Sequence, residues 1–216
     1  MDANYARKWT GFAAFLLGLG MAHAQKNLAP NALTETRSFA PGRQLHLEVN
    51  VGDIRILSGS GDPQIRLVIQ PRTDVSPAEV RSWIQRFEVQ ANHANIRLHM
   101  PKRGNRNGTV TIYVPDPTDL DVDLGIGEVT INGISGDKDV DVKVGELKLV
   151  GLNPAEYGIV KNSTDVGDVQ DDVFSGRQSG WLGKSENVIA SGKHHIRDHV
   201  GIGDIRLRKT ESAQKN

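Results

Sequence analysis

Five acidic residues, Asp53, Glu128, Glu146, Asp168 and Asp204, each directly follow a glycine inside a recurring short motif. If the motif copies stack as strands, equivalent carboxylates lie ~4.8 Å apart. Two like charges at that distance repel by about 3 kcal/mol at an effective dielectric near 20. A ladder of this kind needs cations. It can hold Ca²⁺ through oxygen ligands, or supply a carboxylate pair for glycoside chemistry. The plainer reading is that the acids finish chain corners. Arg55, Lys148 and Arg206 each follow their acid by two residues, and Lys184 falls in the equivalent slot between Asp168 and Asp204. The sequence thus carries its own counter-charges, and no metal or cofactor site is assigned to the acids.

The other candidates are weaker. His194, His195 and His199 form a histidine cluster. His195 and His199 share a strand face and His194 does not. No carboxylate set at ligand spacing completes a metal site beside them, although Asp198 is near, so they read as solvated surface residues. Trp83, next to Ile84, reads as packing between a helix and a sheet, whereas Trp181 replaces an aliphatic residue of the motif. Aromatic content of 5% argues against a broad sugar-stacking face. The sequons Asn107-Gly108-Thr109 and Asn162-Ser163-Thr164 read as chance matches. There is no phosphate loop, nucleophile elbow or dinucleotide fingerprint, and without cysteine there is no thiolate catalysis or ligation. No catalytic residue emerges.

The elements that position these residues are repeats. The motif reads VNVGDIRI from Val49, LGIGEVTI from Leu124, VKVGELKL from Val142 and VGIGDIRL from Val200, with a weaker TDVGDVQD from Thr164. Its marker glycines are Gly52, Gly127, Gly145, Gly167 and Gly203, and the intervals from Gly127 onward are 18, 22 and 36 residues. A degenerate copy places Gly183 inside the last gap. Self-similarity at such a period indicates stacked units. Within a copy the apolar residues Leu124, Ile126, Val129 and Ile131 step by two, three and two. A step of three reverses the face of a straight strand, so both halves face one interior only if the chain bends at the glycine. On this reasoning alanine at Gly145 costs only ~1–2 kcal/mol, and a β-branched residue costs more.

The expected fold is therefore all-β: a single-stranded β-helix-like β-solenoid of short bent strands. An antiparallel sandwich with Gly-Asp turns is the alternative. An 18-residue coil has a perimeter of at most about 60 Å, narrow enough for side chains to fill. Ahead of the close-spaced repeats, residues 43–115 form a β-rich region with one short helix. Ser76-Pro77-Ala78-Glu79 is a helix start, and Val80, Ile84 and Phe87 mark its face. Residues 116–209 hold the solenoid repeats, 25–42 a linker and 210–216 a tail.

Residues 1–24 have the parts of a secretory signal: Arg7 and Lys8, the short apolar run Thr10 to Met21, then Ala22-His23-Ala24. A run that short falls below the ~20 residues of a spanning helix. Cleavage after Ala24 leaves a mature chain from Gln25 with no membrane span. Removing Arg7, Lys8 and Asp2 turns 26 basic against 26 acidic residues into 24 against 25. That balance offers nothing to nucleic acid. The expected location is periplasmic or secreted.

The run TVTIYVPDPTDLDVDLGIGEVTINGISGDKDVDVKVGELKLVGL, Thr109 to Leu152, resembles the putative-adhesin, domain-of-unknown-function family of bacterial cell envelopes. Its mark is a strand ending in Val/Ile-Pro followed by alternating strands with Gly-Asp/Glu. The resemblance covers about Leu45 to Lys209 and implies a β-helix-like fold, an exported setting and no catalytic residues. The implied role is structural or interactive, toward an envelope or surface partner that is a protein or polysaccharide. A carbohydrate-binding or carbohydrate-active β-helix using the corner carboxylates is the second reading.

Overall fold

In the computed structural model, residues 32–59, 61–101, 108–174, 177–178, 184–188 and 192–209 are described. The expected signal segment and tail, Trp181 and Gly183 lie outside them.

Alternating apolar residues make strands along almost the whole described chain. In chain order these are β1 (Leu33–Ser38), β2 (Arg43–Ser58), β3 (Gln64–Pro71), β4 (Ile84–Val89), β5 (His93–Leu98) and β6 (Gly108–Val114). Then come β7 (Thr118–Asn132), β8 (Lys138–Val150), β9 (Tyr157–Val166) and β10 (Val169–Asp171). The last are β11 (Arg177–Gln178), β12 (Lys184–Val188) and β13 (His194–Arg208). All of them belong to a single large sheet that does not close on itself.

The centre of the sheet is four long parallel strands in the order β2, β7, β8, β13. Their register aligns every motif copy: Gly52 pairs with Gly127, Gly127 with Gly145, and Gly145 with Gly203. Beyond β13 the sheet divides, β9 pairing its first half and β10 its second. On the other flank β2 is divided in the same way, between β5 and β6. Spatial order departs from chain order here. β13 inserts between β8 and the β9/β10 pair, so the motif copies do not stack simply as they follow in sequence. Lys184 consequently does not separate Asp168 from Asp204. It pairs with Ser163 in an antiparallel β12–β9 ladder, while the Asp168 N–H donates directly to Asp204 Oδ1 at 3.1 Å.

One contiguous core takes residues from both halves of the long strands, such as Leu45, Leu47, Ile54 and Ile56 of β2 and Leu120, Val122, Val129 and Ile131 of β7. The bend differs from the spacing argument. Ile126, Val144, Val166 and Ile202 are 51%, 40%, 46% and 56% exposed, so they do not face the interior. The chain turns around these residues rather than after them, which leaves them on the convex side. Only Val51, in the first copy, is buried.

The helix α1 (Pro77–Ser82) begins as its sequence demands, with Ser76 Oγ accepting from the Glu79 N–H at 3.2 Å. It is shorter than expected. Ile84 and Phe87 belong to β4, because Trp83 caps the helix and buries its ring in the core. Among the described residues no helix is long and apolar enough to cross a membrane.

Candidate functional site

The bend carries three features in adjacent rows. The first is the glycine column, with φ between 137° and 145° at Gly52, Gly127, Gly145, Gly167 and Gly203. Positive φ is only part of its cause. A Cβ on Gly145 would sit 1.7 Å from the Gly127 carbonyl oxygen, and one on Gly203 would sit 1.7 Å from that of Gly145. The rungs approach so closely that even alanine must force them apart, so its expected effect exceeds that of backbone strain alone.

The second feature is the carboxylate row that follows. Lys148 Nζ lies 3.0 Å from both Glu128 Oε2 and Glu146 Oε2. Arg206 bridges Glu146 and Asp204, and Arg72 pairs with Asp53. Burial works to raise the Glu128 carboxyl, but hydrogen bonds from Lys148 and Thr130, with the charges of Lys148 and Arg55, carry it below its ordinary range. Cations are thus interleaved between the acids, the arrangement of a neutralised ladder.

The third feature is the outward aliphatic row of Ile126, Val144, Ile202 and Val166, each the register partner of the next. Its fifth member, Val51, is covered from within the chain. Asn50 grips the backbone of Met100, accepting from its N–H at 2.7 Å and donating to its carbonyl at 2.8 Å. Met100 is itself fully buried beside Gly52.

A second acidic region occupies the outer face of the first strand halves. Asp121 and Asp139 are register partners, as are Asp123 and Asp141. His46 Nδ1 lies 2.8 Å from Asp121 Oδ2, and His195 Nε2 lies 3.0 Å from Asp139 Oδ2. Partial loss of hydration, then the charge of Asp121, pushes the Asp123 carboxyl up; His46 opposes this, while Asp141 and Glu48 add to it. Sequence reasoning passed over these residues. Their signal is the run of alternate aspartates Asp119, Asp121, Asp123, repeated 18 residues later as Asp137, Asp139, Asp141. His199 stands apart from His195, with Ser163 Oγ 3.2 Å from its Nδ1 and Asp165 3.5 Å from its Nε2.

Under this face, Lys138 is completely buried and donates to the Gly136 carbonyl at 3.0 Å and to the Tyr157 hydroxyl. Burial pulls the lysine down to about 8, against the opposing charges of Asp198 and Asp116. Burial likewise raises Tyr157, and raises Asp198 well above the carboxylate range despite Lys138. Neither Asp198 oxygen has a hydrogen-bond partner among the described residues.

No family model and no curated protein matches the chain. Solved structures do. A putative cell adhesion protein from Clostridium sporogenes is similar at 17% identity and a TM-score of 0.50, over 82% of this chain and 99% of that one. The likeness is one of fold. A putative adhesin from Bacteroides fragilis is 13% identical over 82% of this chain and 96% of its own, with a TM-score of 0.33. Another from Parabacteroides merdae is 10% identical over 83% and 97%, with a TM-score of 0.26. The resemblance to the putative-adhesin family is thus borne out at the level of fold, by the Clostridium sporogenes structure.

Proposed function

We propose that this chain is a non-enzymatic, exported cell-envelope protein of the adhesin type, which presents a rigid solenoid-like stack of bent strands to a surface partner. The observation that carries this reading is the outward aliphatic row. Ile126, Val144, Ile202 and Val166 stand on four adjacent rungs of a continuous backbone ladder, and all remain exposed. Fully burying an aliphatic side chain contributes about 1.5–3 kcal/mol, so covering four half-exposed ones contributes roughly 3–6 kcal/mol. A millimolar complex corresponds to about 4 kcal/mol. The row alone therefore supports weak attachment, and the polar groups beside it must supply the rest. Many weak contacts at a cell surface add through multivalency.

Export is tested by fractionating cells that express the full-length chain with a C-terminal tag and measuring the N-terminal mass. The proposal expects a periplasmic or released species beginning at Gln25. A membrane-bound species retaining Met1 to Ala24, or an unprocessed cytoplasmic one, contradicts it.

A further inference from the structure

Three metal-type donors from separate parts of the chain converge where β7, β8 and β13 begin. Asp119 lies on β7, Asp137 immediately precedes β8, and His194 opens β13. One ligand atom of each lies within 4.8 Å of the other two, and all three residues are half-buried. His194 Nδ1 is 3.3 Å from Asp137 Oδ1. A tetrahedral ion with bonds of about 2.0–2.1 Å spaces neighbouring donors by about 3.3 Å, so this pair already has the separation of two ligands of one ion.

Backbone donors hold the carboxylates. The Asp137 N–H donates to Asp119 Oδ1 at 2.8 Å, and the His195 N–H donates to Asp137 Oδ1 at 2.9 Å. The His195 ring is anchored to Asp139 through Nε2, and its Nδ1, like that of His194, lies 3.3 Å from Asp137 Oδ1. The companion group, His46, Asp121 and Asp123, is arranged differently. There the imidazole is already hydrogen-bonded to Asp121 at 2.8 Å, and Asp123 is exposed, so that set holds its histidine in a direct pair.

We propose that Asp119, Asp137 and His194 form a binding site for one divalent transition-metal ion of the zinc type, with water completing the coordination. The imidazole donor decides the class. Calcium takes six to eight oxygen ligands, whereas zinc accepts nitrogen with two or three carboxylate or water oxygens. An ion there ties three strands together at the edge of the outer face, across residues far apart in sequence. The site shares no residue with the aliphatic row and does not depend on the adhesin reading.

The test is zinc titration of the purified, untagged, metal-stripped chain by calorimetry, with Co²⁺ absorption as a second readout. One saturable zinc per chain is expected, unaffected by millimolar Ca²⁺. His194→Gln and Asp119→Asn should each weaken it about tenfold or more, since replacing even a residue that only hydrogen-bonds to a metal ligand costs that much. His46→Gln should leave it unchanged. Histidine ring resonances of the unsubstituted protein give an independent check should a variant misfold. The His194 signals should shift in step with added zinc. Absence of saturable binding, equal affinity in His194→Gln, displacement by Ca²⁺, or shifts confined to His46 or His199 would overturn the proposal.

Discussion

Two glycines with positive φ separate the contribution of backbone conformation from that of rung-to-rung contact. Gly133 has φ 65° and nothing within 4 Å of where a Cβ would be, whereas at Gly145 the Cβ would lie 1.7 Å from the Gly127 carbonyl oxygen. Gly133→Ala should therefore cost only the left-handed backbone penalty of about 1–2 kcal/mol. Gly145→Ala carries that strain and a contact that must open by more than an ångström before atoms reach an ordinary separation. The opening breaks ladder hydrogen bonds between β7 and β8, and each buried group left unpaired costs about 1–3 kcal/mol. Losing two such groups brings the total to roughly 3–8 kcal/mol. Urea unfolding of both variants measures the difference, and peptide-level hydrogen exchange locates it. Protection should fall first around Gly127 and Gly203, the register partners of Gly145. Costs for the two variants that agree within about 1 kcal/mol would refute the close-approach argument.

Lys138 and Asn50 give two further outcomes. Lys138 has a folded value of about 8 against an ordinary 10.5, so the unfolded chain binds more protons between those limits and stability rises with pH there. From pH 8 to 9.5 the gain is about 1.5 kcal/mol, before the Tyr157 proton, held more tightly in the fold, begins to act in the opposite direction above pH 10. Urea midpoints of Lys138→Met should lack this rise, and parallel profiles for variant and parent would contradict it. Asn50→Ala removes both hydrogen bonds to Met100 and should destabilise by about 2–4 kcal/mol, with exchange accelerating first in β5. A loss under 1 kcal/mol would mean that Asn50 does not hold the segment.

The glycine–acid motif made much of this molecule legible. Its period marked the residues that fall into register on adjacent strands, and Ser76-Pro77-Ala78-Glu79 marked the helix start. Other features depended on information that local patterns lack. Whether Ile126 points in or out depends on where within the bend the chain turns, and steps of two and three are compatible with either choice. The insertion of β13 beside β8 is a long-range pairing, and chain order favoured the wrong neighbour. For the same reason His194 looked unaccompanied: its carboxylates, Asp119 and Asp137, are 75 and 57 residues away in sequence. Lys138 gave no sign of burial either, since an alternating strand can place a lysine inward only when a hydroxyl such as that of Tyr157 awaits it.

The aliphatic row is the most direct test of the proposed function. Ile126→Ser combined with Ile202→Ser alters two side chains that are more than half exposed, so the fold and thermal midpoint should be retained. Beads coated with the unsubstituted chain and with the double variant are compared for attachment to bacterial cells, with purified envelope polysaccharide as a competitor. The account predicts saturable attachment of the first and at least a several-fold loss for the second. Equal attachment of the two, or none by the unsubstituted chain, would contradict it.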